Sequence, residues 1–314
     1  MTEPENEFSF LSAQAVDAGA TGPLPRAERL FRTLADGRTL SALRYTPATA
    51  PTAGPAVTFL HGAGLNAHTW DTTILALGLP ALAIDLPGHG DSSWREDAAY
   101  VGRVLAPDIV EGIRAWADGP QVLVGHSLGG LTAAAVAASA PELVRDLVVV
   151  DITPGIDPNG GAAQLRAFFA GPTDWATRDE VVDRALAFGL GGGARAKVAR
   201  GVFFNTRVRP DGRVEWKHHF ARLAHDSAAS AADGSTAAAG PDAVAAVLGA
   251  AGWEDLAAVT APLTLVRAER GFLTDDDEWQ FRARLPSARI VRMDAGHNVQ
   301  EDQPQTLAAL VRSI

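Results

Sequence analysis

The chain has 314 residues, 47% hydrophobic and 20% charged, a composition that suits a water-soluble globular protein with a sizeable core. Its net charge of −10 gives no electrostatic reason to bind nucleic acid or an anionic membrane. The absence of cysteine excludes disulfides, a thiol nucleophile and thiolate metal ligation, and fits a reducing compartment.

Residues 1–26 are polar, with interspersed Ala, Gly and Pro, and read as a loose arm. Glu3, Glu5 and Glu7 stand where a secretory signal would carry positive charge, and no stretch reaches the ~18 apolar residues of a membrane span. A soluble, cytoplasmic protein is therefore expected. Residues 27–34 and 38–45 read as a hairpin around the turn dipeptide Asp36-Gly37. Short apolar strands follow at 56–60, 81–84, 122–124 and 147–150, with helices expected at 68–77, 98–117 and 128–139. Strands at 263–267 and 289–293 alternate with helices near 275–285 and 303–312. Near-continuous aliphatic strands alternating with helices predict an α/β fold, a parallel sheet covered on both faces with its site at the C-terminal strand ends. The rhythm breaks over 154–252, a stretch of helical composition carrying Phe168, Phe169, Trp175, Phe188, Phe203, Phe204, Trp216 and Phe220. We read it as a helical cap inserted into a core of residues 27–153 and 253–314, with a flexible Ala/Ser/Gly/Asp stretch near 227–241. For any single aromatic among them, packing within the cap itself is the default role.

Two stretches carry chemistry. Val122-Leu123-Val124 feeds Gly125-His126-Ser127-Leu128-Gly129, and an Ala-rich helical segment follows. A strand, a sharp turn and a helix are the setting in which a serine becomes a nucleophile, and side chains at 125 and 129 would collide with neighbouring backbone. His61-Gly62-Ala63-Gly64 directly follows the 56–60 strand. Backbone N–H groups in such a loop can face the oxyanion of a tetrahedral intermediate, so Ala63 is the expected donor beside the N–H of Leu128. His218, His219 and His225 lie in what reads as an ordinary polar helix, 217–226, without carboxylates at ligand spacing, so no metal is expected. Gly191, Gly192 and Gly193 follow a helical stretch, which does not indicate a phosphate loop. No cofactor is expected.

The set His61-Gly62-Ala63-Gly64-Leu65-Asn66, Asp85-Leu86-Pro87-Gly88-His89-Gly90-Asp91-Ser92, Gly125-His126-Ser127-Leu128-Gly129-Gly130 and Gly296-His297 resembles the α/β-hydrolase superfamily, in particular its small capped carboxylesterase-like branch. The resemblance covers residues 27–153 and 253–314 well and the cap poorly. It implies an eight-stranded, mostly parallel sheet and a triad in the chain order Ser, acid, His. That order sets aside His61, His68, His89 and His126, the last of which points away from the turn in this family. His297, after the 289–293 strand and the small residues Asp294-Ala295-Gly296, matches the family's Gly-His position and is the expected general base. The usual place of the acid reads Ala268-Glu269-Arg270-Gly271-Phe272-Leu273-Thr274, without an aspartate. Asp275, Asp276, Asp277 and Glu278 come later and read as a helix start. Some members place the acid after the strand beside the nucleophile strand, which here is Asp151, with Glu269 as runner-up. The expected activity is hydrolysis of a small-molecule carboxylic ester, thioester or lactone. C–C bond hydrolysis with the same triad, or a ligand-binding role without catalysis, are the alternatives.

Overall fold

Aliphatic runs form the centre of an eight-stranded sheet in a computed structural model that describes residues 6–157, 163–190, 194–232 and 252–314. In chain order the strands are β1 (Arg26–Thr33), β2 (Thr39–Thr46), β3 (Val57–Leu60), β4 (Ala81–Asp85), β5 (Gln121–His126) and β6 (Val144–Val150). Next come β7 (Asp174–Trp175), β8 (Thr206–Val208), β9 (Val214–Trp216), β10 (Leu263–Arg270) and β11 (Arg289–Gly296). The main sheet runs β1-β2-β4-β3-β5-β6-β10-β11, with β2 antiparallel to both its neighbours and every later pair parallel. The expected eight-stranded, mostly parallel α/β-hydrolase sheet is present.

Alternating side chains of these strands feed two cores. Leu123, Leu147, Val149 and Leu265 face helices Gly102–Trp116 and Leu128–Ser139, while Val122, Val124, Val148 and Val150 face helices Leu11–Asp17, Asp71–Leu77 and Pro304–Arg312. Burial on both faces is why the strands read as continuous apolar runs. Among the described residues, no helix is long and apolar enough to cross a membrane.

Three local expectations need correction. Residues 7–17 of the supposed loose arm form a 3-10 turn (Glu7–Phe10) and the helix Leu11–Asp17, with Leu11, Gln14 and Ala15 buried. Two turns of helix give too short an apolar repeat to stand out in sequence, and packing on the Asp71–Leu77 helix supplies the stability. The helix expected over 98–117 starts at Gly102, after Ala98 adopts a φ of 51°. The insertion between β6 and β10 is not all helical: helices Ala163–Phe169, Arg178–Ala187, Arg195–Asn205 and Phe220–Ala232 flank a small antiparallel sheet, β7-β9-β8. Strands of two or three residues are too brief to show a period. Of the stretch expected to be flexible near 227–241, residues 227–232 continue the last of those helices, and 233–241 lie outside the described residues.

Candidate active site

Strand register brings the chemistry together. His126 pairs with Val150 across β5 and β6, and Val266 pairs with Val150 across β10 and β6. Ser127 and Asp151 are thus the next residues on adjacent strands: Ser127 N–H donates to Val150 O at 3.0 Å, and Asp151 N–H donates to Val266 O at 2.8 Å. Strand β11, beside β10, ends at Gly296 and delivers His297.

Ser127 sits at φ 52°, ψ −121° between β5 and the helix Leu128–Ser139. With Asp151 at φ 49°, it is one of three described non-glycine residues with positive φ, the third being Ala98. Strain of this kind persists only where the surroundings over-determine it, and here it falls on two expected site residues. The glycines expected to be obligatory are so: a Cβ at Gly125 would meet the backbone of Gly129, and one at Gly129 would meet the carbonyls of Leu60 and His61. Leu128 opens the helix, so its N–H has no intrahelical acceptor and stands at the positive end of the helix dipole. The 61–64 loop lies alongside, since a Cβ at Gly62 would stand 3.1 Å from Ser127 Cβ. Ala63 is the next residue on that loop.

The His297 Nδ1–H donates to Asp151 Oδ2 at 2.8 Å, and Asp151 is fully buried. Its carboxylate also accepts the N–H of Ala268 at 3.0 Å and of Phe272 at 2.8 Å. Glu269, the runner-up, is exposed at the end of β10. The acidic run 275–278 does start a helix: Thr274 and Asp277 form a reciprocal capping box, and Glu278 pairs with Arg267, Arg282 and Arg292. Asp85 is buried and structural, paired with Arg29 at 2.7 Å and accepting the Ala67 N–H at 2.8 Å.

Several contacts were not legible in the sequence. One of them is made by His126, the residue that the resemblance turns away from the Ser127 turn. Its ring centre lies 4.5 Å from that of His297, and its Nε2–H donates to the His297 carbonyl at 3.0 Å. Burial and the neighbouring His297 push its imidazole well below the usual histidine value, so it serves as a neutral strut. The expected polar helix over 217–226 begins at Phe220 instead, and His218 is buried against Phe169 and Trp216. Burial, then the nearby His61 and His219, lowers the His218 imidazole to about 3. Phe169 reaches back to the loop beside Ser127, where a Cβ on Gly64 would strike its ring. Phe272 lies flat on His297, with ring centroids 3.5 Å apart. Its position immediately after Gly271, where the expected acid is missing, is the one clue that sequence offers.

Comparison with known proteins bears on the family of the chain. Residues 59–310 match the model of the alpha/beta hydrolase family. The esterase Rv0045c of Mycobacterium tuberculosis is 37% identical over 317 residues, covering 98% of this chain and 95% of its own length. Its crystal structure matches with a TM-score of 0.77 at 36% identity, over 100% of this chain and 98% of that one. Lipase LipV of the same organism is 28% identical over 302 residues, 87% of this chain and 97% of its own. The E-2-(acetamidomethylene)succinate hydrolase structure, at 22% identity, shares the fold with a TM-score of 0.75 over 92% of this chain and 98% of that one. A match spanning most of the chain, with a relative of this identity along nearly its whole length, settles the assignment: the chain belongs to the alpha/beta hydrolase family.

Proposed function

We propose that this protein is a serine hydrolase that cleaves a carboxylic ester of a small molecule, or a related thioester or lactone, through an acyl-enzyme. The observation that carries the reading is the Asp151–His297 hydrogen bond. Two backbone N–H donors fix the carboxylate, and Ser127 stands on the adjacent strand in a strained turn. The esterase relative that matches along the whole chain supports the ester as substrate.

In this reading His297 donates its Nδ1–H to Asp151, which leaves the Nε2 lone pair to take the Ser127 proton. Ser127 Oγ bonds to the carbonyl carbon, and the carbonyl electron pair moves to oxygen. The Ala63 and Leu128 N–H groups receive that oxyanion. Each such donor contributes typically ~10²–10³ in rate. Collapse of the intermediate breaks the C–O bond to the leaving alkoxide, which takes the proton from Nε2. Water then attacks the acyl-enzyme, gives its proton to Nε2, and the acid departs as Ser127 Oγ regains that proton.

A fluorophosphonate probe and a panel of p-nitrophenyl esters of graded acyl length test this. Labelling of the wild type at Ser127, lost in Ser127→Ala together with ester turnover, is the expected result. A wild-type protein that neither labels nor turns over any ester would leave a ligand-binding role. Turnover of a diketone without ester turnover would point to C–C bond hydrolysis.

A further inference from the structure

His297 is held on more sides than a hydrogen-bonded triad requires. One imidazole face lies against the Phe272 ring, centroids 3.5 Å apart and planes 9° from parallel, while the His126 ring approaches at 4.5 Å and 53°. Phe272 reaches that place through an irregularity in the backbone. The pairing of β10 with β11 shifts register between Ala268 and Arg270, and the Gly271 N–H turns back onto Ala268 O at 3.3 Å. A Cβ on Gly271 would run into the Asp151 carboxylate, so the turn presses directly on the acid. A bulge beside a site re-aims the residues that follow it. Here it aims the Phe272 backbone N–H at Asp151 Oδ2, 2.8 Å away, and its side chain at the imidazole.

Two physical consequences follow from a phenyl face in that position. An imidazole hinged on one Nδ1–H bond can still swing about its broad χ2 torsion, and a flat neighbour in van der Waals contact removes that freedom. The charge on His297 also changes during the reaction: it is neutral before attack and an imidazolium once it holds the Ser127 proton. An aromatic face attracts a cation far more than a neutral ring, so the contact strengthens toward the transition state. We infer that Phe272 is a positioning residue for the general base, holding the His297 plane and stabilising its protonated form while its backbone N–H fixes Asp151. The inference rests on the serine-hydrolase reading above.

The variants Phe272→Met and Phe272→Tyr separate ring chemistry from filled volume, and neither alters the backbone N–H to Asp151. The Met variant is expected to lower kcat roughly 10-fold, with KM unchanged and by the same factor for short and long acyl esters. Its rate of labelling by a fluorophosphonate should fall in parallel, since serine attack needs the same base. The Tyr variant, which keeps the face, is expected to return kcat to within about twofold of wild type. Equal kcat in the Met variant and the wild type would overturn the inference. So would a loss confined to KM, or one that varies with acyl length, since either makes Phe272 a wall of the ester pocket. If Met and Tyr both lose activity together with thermal stability, the side chain is a packing element and the inference is likewise overturned. A wild type that fails to label at Ser127 would instead defeat the serine-hydrolase reading itself.

Discussion

At the scale of single residues, the acid shows how little a local motif decides by itself. The position of Asp151 depends on β6 lying between β5 and β10, which sets its carboxylate against His297 and the N–H groups of Ala268 and Phe272. In the proposed mechanism, replacing Asp151 with asparagine keeps the shape but removes the charge that orients and stabilises the imidazolium. Asp151→Asn is expected to reduce kcat for ester hydrolysis by about 10⁴, whereas Glu269→Gln should stay within about twofold of wild type. Steady-state kinetics on one p-nitrophenyl ester decide between them, and the opposite ranking would overturn the assignment. That Asp151 stands at the end of the strand beside Ser127 is legible in the sequence, because it ends an aliphatic run. Phe272 and His126 were not legible as neighbours of His297. Their placement depends on a register shift and on ring orientation, which leave no periodic trace.

At the scale of elements, the N-terminal helix is held by a charged hub assembled from distant parts of the chain. Glu7 accepts hydrogen bonds from Arg29 at 2.9 Å and from His68 Nε2–H at 2.9 Å, while His68 Nδ1–H donates to Asp71 at 2.9 Å. The His68 ring stacks on Phe204 of the insertion at 3.8 Å, and Phe10 packs edge-on against Phe203 and Phe204. The short N-terminal segment therefore fastens the insertion helix Arg195–Asn205 to the core. Burial opposes the charge on Glu7, and the His68 and Arg29 bonds overcome it, holding its carboxyl at about 2 against an ordinary 4.5. Its stabilising effect is present above 4.5 and lost as pH falls through about 2. Burial also opposes the His68 cation, but Asp71 and Glu7 raise it above its ordinary 6.5. That part is fully present below 6.5 and lost as pH rises through the raised value. The thermal-stability difference between wild type and Glu7→Gln is therefore expected to be greatest between pH 4.5 and 6.5. It should vanish toward pH 2 and shrink partway on the alkaline side, where Arg29 still holds Glu7. A difference independent of pH, followed by circular dichroism melts, would remove the hub as its cause. Partners separated by tens of residues leave no local pattern, which is why residues 1–26 look like a loose arm in sequence.

At the scale of the whole molecule, the insertion and the main sheet that carries Ser127 and Asp151 share one core. Phe168, Phe169, Trp175, Trp216 and Phe220 belong to the same buried cluster as Leu123, Leu147 and Leu265 of the main sheet. The parallel sheet was legible because each strand is long enough to show its pattern, and the sharp turn at Ser127 because its glycines are sterically obligatory. How the insertion meets the site was not, since one aromatic among many gives no sign of facing outward from its own cluster. Phe169 does so: it packs with Trp216 and His218 on one side and covers Gly64, beside Ala63, on the other. Trp175 lies in the same cluster, against Trp216 at 5.1 Å. Truncating either ring should cost about 3–5 kcal/mol of stability, measured by urea unfolding. In the proposed mechanism their kinetics should part, because Phe169, and not Trp175, covers the loop whose Ala63 N–H is the proposed oxyanion donor. At a temperature where both variants remain folded, Phe169→Ala is expected to lower kcat roughly 10-fold, while Trp175→Ala stays near wild type. A displaced donor weakens transition-state binding with little effect on the ground state, so the loss should fall on kcat and spare KM. Equal kcat values for the two variants would mean that the 61–64 loop holds its geometry without the insertion, whose part would then be confined to enclosing the substrate.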